Sequence, residues 1–252
     1  MERERGFNIV PSYSTSAPLY EIMVGRYAFE HWRENFERLE KRYDLDISLV
    51  ADAGCGTGLA AEYLAGRGAE VYAYDLSPQM LREAAGEHGG QGIRYLKQDM
   101  RYLQTPARVS LLISVTDAMN HLLNEEDIRR TLSSFYSSMQ PGGYALFDMN
   151  TTWQLREGND DQAWEFEVDG RHMRWLSAWD EGSMIFTLSM AFRDEKGQAR
   201  DLLEVHRERA YDAGWVLGEL ARAGFCSAEA LDAAGLGRPA ERTRRLQFVA
   251  CR

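Results

Sequence analysis

The sequence predicts an α/β fold with a doubly wound parallel sheet, and three features of the chain support this prediction. Between residues 49 and 150, short apolar runs alternate with amphipathic helical patterns, which is typical of repeated βαβ units. The first apolar run, residues 49–53, leads into glycines at positions 54, 56 and 58 and then into a helical pattern. After residue 150 the apolar residues alternate with a period of two, which indicates that antiparallel strands are inserted into the α/β region.

Local signals predict the elements of the α/β region in order. Apolar residues at three- and four-residue spacing from residue 19 to residue 43 predict one or two amphipathic helices, interrupted near Gly25. Ser77 before a proline and Asn124 before an acidic turn are typical residues at helix starts, and the Pro-Gly-Gly sequence at 141–143 predicts a helix end. Helices are expected over residues 59–66, from 78 onward, over 124–139 and over 212–225. Strands are expected over residues 49–53, 69–75, 93–99, 109–115, 144–150 and 246–252.

The inserted segment has its own pattern. Alternating runs between residues 163 and 210 predict an antiparallel meander of three or four strands, with a hairpin turn at Asp169-Gly170. Four of the six tryptophans lie in or just before this segment, namely Trp153, Trp164, Trp175 and Trp179. One face of the meander should therefore be apolar, and it could cover a substrate pocket or form a homodimer interface.

Composition limits the classes of partner. The 252 residues carry a formal net charge of −10, which disfavours a nucleic-acid partner, because the arginines between residues 238 and 245 form only a short cluster. No apolar run reaches 18 residues, so no membrane-spanning segment is expected. The three cysteines lack the spacing of a metal site, which predicts free thiols, no metal and a cytoplasmic location.

The glycine turn predicts a ligand site. A strand that enters a helix through glycines presents free backbone N–H groups and a positive helix end at the edge of the sheet. The spacing is GxGxG, with Leu59 where the dinucleotide-binding GxGxxG pattern has its last glycine, and Asp75 ends the next strand where it can accept ribose hydroxyls. A tight turn with no ligand remains an alternative at this point.

Five segments taken in order resemble the successive motifs of class I S-adenosylmethionine-dependent methyltransferases. They are VADAGCGTGLAAEYLAGRG, VYAYDLSPQML, KQDMRYL, VSLLISVTDAMNHL and PGGYALFDMN. The resemblance covers roughly residues 49–150 and resumes at LGELARAGF and LQFVACR. It implies a Rossmann-like seven-stranded sheet with S-adenosyl-L-methionine as the cofactor.

The resemblance also implies the residues that contact the cofactor. Gly54, Cys55 and Gly56 would line its methionine and ribose parts, and Asp75 would bind the ribose hydroxyls. The other implied contacts are Leu76 and Met80 beside the adenine, Asp99 at the adenine amino group, the Met100 backbone at a ring nitrogen, and Ser114 and Val115 beneath the sulfonium. In the N-terminal helices, Tyr20 would face the sulfonium and Arg26 the methionine carboxylate, which suit an aromatic ring and a guanidinium respectively.

His121 is the candidate catalytic residue, together with Tyr20. The segment TDAMNHLL resembles that of small-molecule methyltransferases, including amino-sugar N-methyltransferases, in which the matching histidine can touch substrate. A histidine there could accept a proton from an amine or hydroxyl, or it could instead cap or pack against the following helix. The Asn/Asp-Pro-Pro-aromatic motif of nucleobase methyltransferases is missing from this segment.

These observations predict a methyltransferase that acts on a nitrogen or oxygen atom of a small-molecule acceptor. Residues 1–45 are expected to form a helical lid, residues 46–150 and 211–252 the cofactor-binding domain, and residues 151–210 the inserted meander. Two alternatives remain open. One is a non-catalytic S-adenosylmethionine-binding sensor or partner subunit, and the other is an NAD(P)-dependent oxidoreductase.

Overall fold

A seven-stranded sheet lies at the centre of the computed structural model, which describes residues 8–159, 161–168, 171–180, 183–193 and 197–252. Its strands are β2 (Leu49–Ala53), β3 (Glu70–Asp75), β4 (Ile93–Lys97), β5 (Val109–Ser114), β6 (Met139–Asn150), β11 (Ser227–Asp232) and β12 (Arg245–Cys251). Their order is β11-β12-β6-β5-β2-β3-β4, and β12 is antiparallel to both of its neighbours, whereas the other pairs are parallel. The predicted doubly wound sheet is confirmed.

Helices cover both faces of this sheet. They are α1 (Arg26–Tyr43), α2 (Leu59–Gly66), α3 (Pro78–Glu87), α4 (Glu125–Ser138) and α5 (Ala213–Ala223). Phe36 of α1 and Leu64 of α2 belong to one core cluster with Leu111 of β5, and Phe135 of α4 and Leu220 of α5 belong to the opposite one. Neighbouring residues of β5 point into different clusters, as expected for a strand buried on both sides.

The helix ends follow the sequence signals closely. The Ser77 hydroxyl accepts a hydrogen bond from the Met80 N–H at 3.3 Å, and the Asn124 side chain accepts one from the Asp127 N–H at 2.9 Å. At the other end of α4 the sequence expectation and the structure differ slightly. Strand β6 already begins at Met139, and the next residue, Gln140, precedes Pro141, which disfavours helical backbone at Gln140.

A second sheet contains the inserted segment. Its strands are β1 (Asn8–Val10), β7 (Ala163–Val168), β8 (Arg171–Asp180), β9 (Ser183–Arg193) and β10 (Ala199–Glu208), in the order β1-β10-β9-β8-β7. The four inserted strands form the predicted antiparallel meander. Strand β1 pairs in parallel with β10 and was not predicted, because three residues are too few to show an alternating pattern. The predicted turn at Asp169-Gly170 lies outside the described residues.

The N-terminal segment connects the two sheets. After β1 the chain forms a 3₁₀ turn at Ala17–Leu19 and a π-helical turn at Glu21–Gly25 before α1 begins. The interruption predicted near Gly25 is this junction. A Cβ atom at Gly25 would lie 3.2 Å from the ring of Tyr20, so the glycine allows the ring to pack closely. Among the described residues, no helix has the length and apolar character needed to cross a membrane.

Candidate functional site

A cavity of about 840 Å³ opens at the carboxyl ends of β2, β3, β4 and β5. This is where ligands bind in open parallel sheets, close to the point where the strand order reverses between β2 and β5. It brings together most of the predicted site residues, namely Tyr20, Gly54, Cys55, Gly56, Asp75, Leu76, Met80, Asp99, Met100, Val115 and His121. Two predicted residues, Arg26 and Ser114, are not among the residues that line it.

The glycine loop forms the floor of this cavity. Gly54 has a φ of +83°, and a Cβ atom there would lie 2.8 Å from Cβ of Ala118, so the position excludes larger residues. Gly56 has a φ of +55°, and a Cβ atom there would meet nothing within 4 Å. Since Gly56 lines the cavity, such an atom would take up space that a ligand needs. The loop therefore fits a ligand that lies directly on the backbone.

Asp75 is oriented by the loop that it faces. One carboxylate oxygen accepts a hydrogen bond from the Gly56 N–H at 2.9 Å, and the other accepts one from the Ser77 N–H at 2.8 Å. Burial raises the pKa of this carboxyl, and the backbone hydrogen bonds partly offset that effect. Each oxygen keeps a free lone pair, so the side chain can accept two hydroxyl groups of a ribose. Met80 is buried beside it, and Leu76 is 60% exposed at the rim.

Asp99 has a strong partner that the sequence did not indicate. The Arg101 guanidinium contacts both of its carboxylate oxygens, with Nε–Oδ1 and Nη2–Oδ2 distances of 3.0 and 2.6 Å. This pairing lowers the pKa of Asp99. A ligand amino group would therefore have to share a carboxylate that already carries a bidentate ion pair.

Two buried polar side chains behind the glycine loop lack hydrogen-bond partners in the described part of the chain. They are the carboxylate of Asp52 and the hydroxyl of Ser114, and both residues are fully buried. Burial, and secondarily repulsion by Asp75, raise the pKa of Asp52 to about 8. Unsatisfied buried groups are uncommon in proteins and often mark places where a ligand or water completes the hydrogen bonding.

Tyr20 and Arg26, the two site residues predicted in the N-terminal segment, lie in different surroundings. Tyr20 lines the cavity, and its ring meets that of Tyr13 edge to face at a centroid distance of 6.0 Å. Burial raises the pKa of Tyr20, so its phenol is uncharged at neutral pH. The Arg26 side chain is 75% exposed and forms an ion pair with Glu21 at 3.5 Å.

His121 lies against Tyr13, a residue that the sequence did not single out. The Tyr13 hydroxyl is 2.9 Å from Nε2 of His121, and burial raises the pKa of Tyr13, so the phenol is protonated. When the neutral imidazole carries its proton on Nδ1, the phenol donates to Nε2. Burial lowers the pKa of His121, although Asp117 acts in the opposite direction. A neutral imidazole is able to accept a proton. The cap of α4 is Asn124 rather than His121.

A smaller cavity of about 220 Å³ adjoins the first, since Tyr13, Tyr20 and Thr116 line both. The inserted sheet supplies one of its walls through Trp175, Phe186, His206 and Glu208, and the α/β region supplies Asp117, Asn150 and Arg245. The sequence left open whether the meander covers a pocket or forms an interface. Lining a cavity is one of the two roles that the sequence left open for the meander.

The turn after β5 is strained where the two cavities meet. Thr116 and Asp117 have φ values of +57° and +56°, a region that a β-branched residue such as threonine rarely adopts. Asp148 holds the turn, because its carboxylate accepts hydrogen bonds from both backbone N–H groups at 2.8 and 2.7 Å. Strain that surrounding contacts maintain in this way is common at functional sites.

A single buried carboxylate, Glu204 of β10, fixes the N-terminal segment over both cavities. It accepts hydrogen bonds from the backbone N–H groups of Tyr13, Thr15 and Ser16, at 3.0, 2.6 and 2.9 Å, and from the Ser16 hydroxyl at 2.6 Å. His206 Nε2 lies 3.1 Å from the same carboxylate. Burial alone would raise the pKa of Glu204, but these hydrogen bonds outweigh it and lower the pKa. The sequence does not single out Glu204, because it alternates with Leu203 and Val205 and so looks like a residue of the polar side of the strand.

Comparison with known proteins agrees with this geometry. Residues 50–143 match the family model described as a methyltransferase domain. A Geobacillus sp. (strain WCH70) protein named as a methyltransferase is 26% identical over 95% of this chain and 99% of its own. A solved S-adenosylmethionine-dependent methyltransferase from Clostridium acetobutylicum has a TM-score of 0.79 at 21% identity, covering 95% of this chain and 98% of that one. A sugar N-methyltransferase from Streptoalloteichus sp. has a TM-score of 0.76 at 21% identity, with 93% and 92% covered.

The matched segment supplies most of the residues that line the larger cavity. Residues 50–143 include the glycine loop, Asp75, Asp99 and the turn after β5, and the two solved structures share the Rossmann-like fold. The smaller cavity depends on residues on both sides of the matched segment, from Tyr13 to Arg245.

Proposed function

We propose that this S-adenosylmethionine-dependent methyltransferase transfers the methyl group of its cofactor to a nitrogen or oxygen atom of a small-molecule acceptor. The observation that supports this most strongly is the pair of adjoining cavities. The larger one has the backbone floor and the Asp75 carboxylate that suit a nucleoside cofactor, and the smaller one has the volume of a small acceptor.

In this proposal Asp75 accepts the ribose hydroxyls, and Met80 packs against the adenine. Gly54, Cys55 and Gly56 form the surface beneath the cofactor, with Val115 at the end of β5. When bound, the cofactor supplies a methyl group that is already activated by its sulfonium. The protein therefore has to align the acceptor, exclude water and receive a proton.

Tyr20 and His121 act on the acceptor side. The uncharged ring of Tyr20 lines both cavities, so it lies where an aromatic face stabilises a cation. His121 lines the larger cavity, so it accepts the proton through the hydroxyl of Tyr13, which lines both cavities and lies 2.9 Å from Nε2. The inserted sheet and the N-terminal segment cover the acceptor and keep water away.

A small molecule is favoured over a nucleic acid by the charge of the smaller cavity. Asp117 and Glu208 line it, and their carboxylates would repel a phosphate backbone. The sugar N-methyltransferase activity named for the Streptoalloteichus structure supports a compact polar acceptor of this kind.

Calorimetric titration with S-adenosylmethionine, S-adenosylhomocysteine and NAD, in separate runs, tests the proposal. Binding of both adenosyl ligands at micromolar concentration and none of NAD is expected. Absence of adenosyl binding would overturn the proposed function. Binding without methyl transfer to any acceptor in a screen of amines and hydroxyl compounds would favour a non-catalytic sensor.

A further inference from the structure

The smaller cavity has an excess of buried carboxylates. Asp117 and Glu208 line it, and Asp148 lies directly behind Asp117. Arg245 is the only lysine or arginine among the described residues that line this cavity. Its guanidinium is 2.9 Å from Asp148 and 3.3 Å from Asp117. One guanidinium thus faces three carboxylates.

Glu208 is the carboxylate that this arrangement leaves least compensated. Among the described residues, its one hydrogen-bond donor is the Asn150 amide at 3.1 Å, and that amide is shared with Asp117 at 3.2 Å. Burial, followed by repulsion from Asp117 and Asp148, raises the pKa of Glu208 to about 8, and Arg245 offsets this only in part. A cation placed in the cavity would relieve the repulsion.

The aromatic side chains of this cavity suit an organic cation rather than a metal ion. Trp175 and Phe186 line the cavity, with their rings edge to face at 5.7 Å, and Trp175 also stacks on His206. Aromatic faces attract ammonium groups and pack against the carbon skeleton that carries them. In the same cavity, Oε1 of Gln154 is buried and has no hydrogen-bond partner among the described residues, so a ligand N–H could complete its hydrogen bonding.

We infer that the acceptor is a primary or secondary amine, bound as an ammonium ion by the carboxylates of Glu208 and Asp117, with its carbon skeleton against Trp175 and Phe186. The inference rests on the proposed function and narrows it from nitrogen or oxygen to nitrogen. The acceptor body is an apolar or ring-shaped group small enough for about 220 Å³.

Glu208 then has a second role, because an ammonium ion has no lone pair with which to attack. For this acceptor Glu208, rather than His121, takes the proton that must leave the ammonium before transfer. The freed lone pair then forms the new C–N bond with the methyl carbon. The C–S bond of the donor breaks with its electron pair remaining on sulfur, and the methylated amine carries the positive charge. Burial raises the pKa of Glu208 and so favours the uncharged carboxyl that this proton transfer produces.

Matched pairs of probes separate amine recognition from general binding. Two amine–alcohol pairs are titrated into the protein saturated with S-adenosylhomocysteine. One pair is benzylamine and benzyl alcohol, and the other is cyclohexylmethylamine and cyclohexylmethanol. Each amine is expected to bind at least 10-fold more tightly than its alcohol. Glu208→Gln, which retains the shape of the side chain, should reduce that preference at least 10-fold and leave the affinity for S-adenosylhomocysteine unchanged.

Two further variants keep the test decisive. Asp117→Asn is compatible with the left-handed backbone at that position and should reduce the preference in the same direction. Glu167→Gln, on the exposed side of β7, is the matched control and should change nothing. No preference for amines over alcohols, or a preference that survives Glu208→Gln, would overturn the inference. Failure of S-adenosylhomocysteine to bind would instead overturn the proposed function.

Discussion

The two cavities are built in different ways. The larger one is formed by short loops that follow successive strands, so its glycines, Asp75 and Asp99 each lie within a few residues of a strand end. The smaller one combines the N-terminal segment, the turn after β5, the inserted sheet and β12, which are far apart in the chain. Cofactor binding should therefore depend on local contacts, and acceptor binding on long-range contacts such as those of Glu204.

The largest expected effect is on the cofactor side. Asp75→Ala removes both proposed ribose hydrogen bonds and the contact that anchors the Gly56 N–H. Hydrogen bonds to a charged group contribute about 1.5–3 kcal/mol each, so the affinity for S-adenosylhomocysteine should fall roughly 100-fold or more. Calorimetric titration measures the loss.

Asp201→Asn, an exposed position on β10, serves as the control and should bind normally. A cofactor affinity that survives Asp75→Ala would remove Asp75 from the ribose role. In the absence of cofactor, Asp75→Ala should weaken amine binding less than it weakens S-adenosylhomocysteine binding, because Asp75 lines the larger cavity and not the smaller one.

Glu204→Gln should instead lower turnover more than it lowers the affinity for the cofactor. The substitution replaces an acceptor of four hydrogen bonds from residues 13–16 with an amide that can accept fewer, so the N-terminal segment should open more often. Turnover should fall roughly 10-fold, a loss of about 1.4 kcal/mol in transition-state stabilisation, with a smaller change in cofactor affinity. Hydrogen exchange at residues 13–16 should increase, and unchanged exchange there would show that Glu204 does not hold the segment.

The contrast between the cavities also explains what could be read from the sequence. The glycine turn, the Ser77 and Asn124 caps and the alternation of strands and helices up to residue 150 depend on neighbouring residues, and the structure has them as predicted. Strand β11 (Ser227–Asp232) was not predicted. Tyr13 lies in a polar stretch without periodicity and meets His121 across 108 positions of the chain. Glu204 and Glu208 appear in the sequence only as charges in an alternating strand. Their function depends on which segments the tertiary fold places against them.

Tyr13→Phe tests the hydrogen bond between Tyr13, which lines both cavities, and His121. When the imidazole proton is on Nδ1, the Tyr13 hydroxyl donates to the neutral imidazole of His121, so its removal destabilises the neutral form and should raise the pKa of His121. Turnover should fall about threefold to 10-fold, within the range of one lost hydrogen bond, and the acidic limb of the pH–rate profile should move to higher pH. His121→Ala should abolish that limb, and a profile unchanged in both variants would leave His121 a structural residue.

The smallest expected effect concerns His88, which joins the N-terminal segment to the cofactor-binding region. Its ring nitrogens lie 2.7 Å from Glu21 and 2.6 Å from Glu62 of α2. Burial lowers the pKa of His88, but the two carboxylates outweigh it and the net pKa is raised. The stabilisation is therefore fully present below the unfolded-state pKa of about 6.5 and is lost as the pH rises through the folded-state value.

Melting temperatures of the wild type and of His88→Gln should accordingly differ more at pH 6 than at pH 9. His172→Gln, at an exposed position of β8, should give the same small difference at both pH values. The effect should be modest because Glu62 is half exposed and solvent screens the pair. A pH-independent difference for His88→Gln would mean that its ring acts by packing alone. The N-terminal segment would then be held to the inserted sheet by a charge, through Glu204, and to the α/β region by uncharged contacts such as that between Tyr13 and His121.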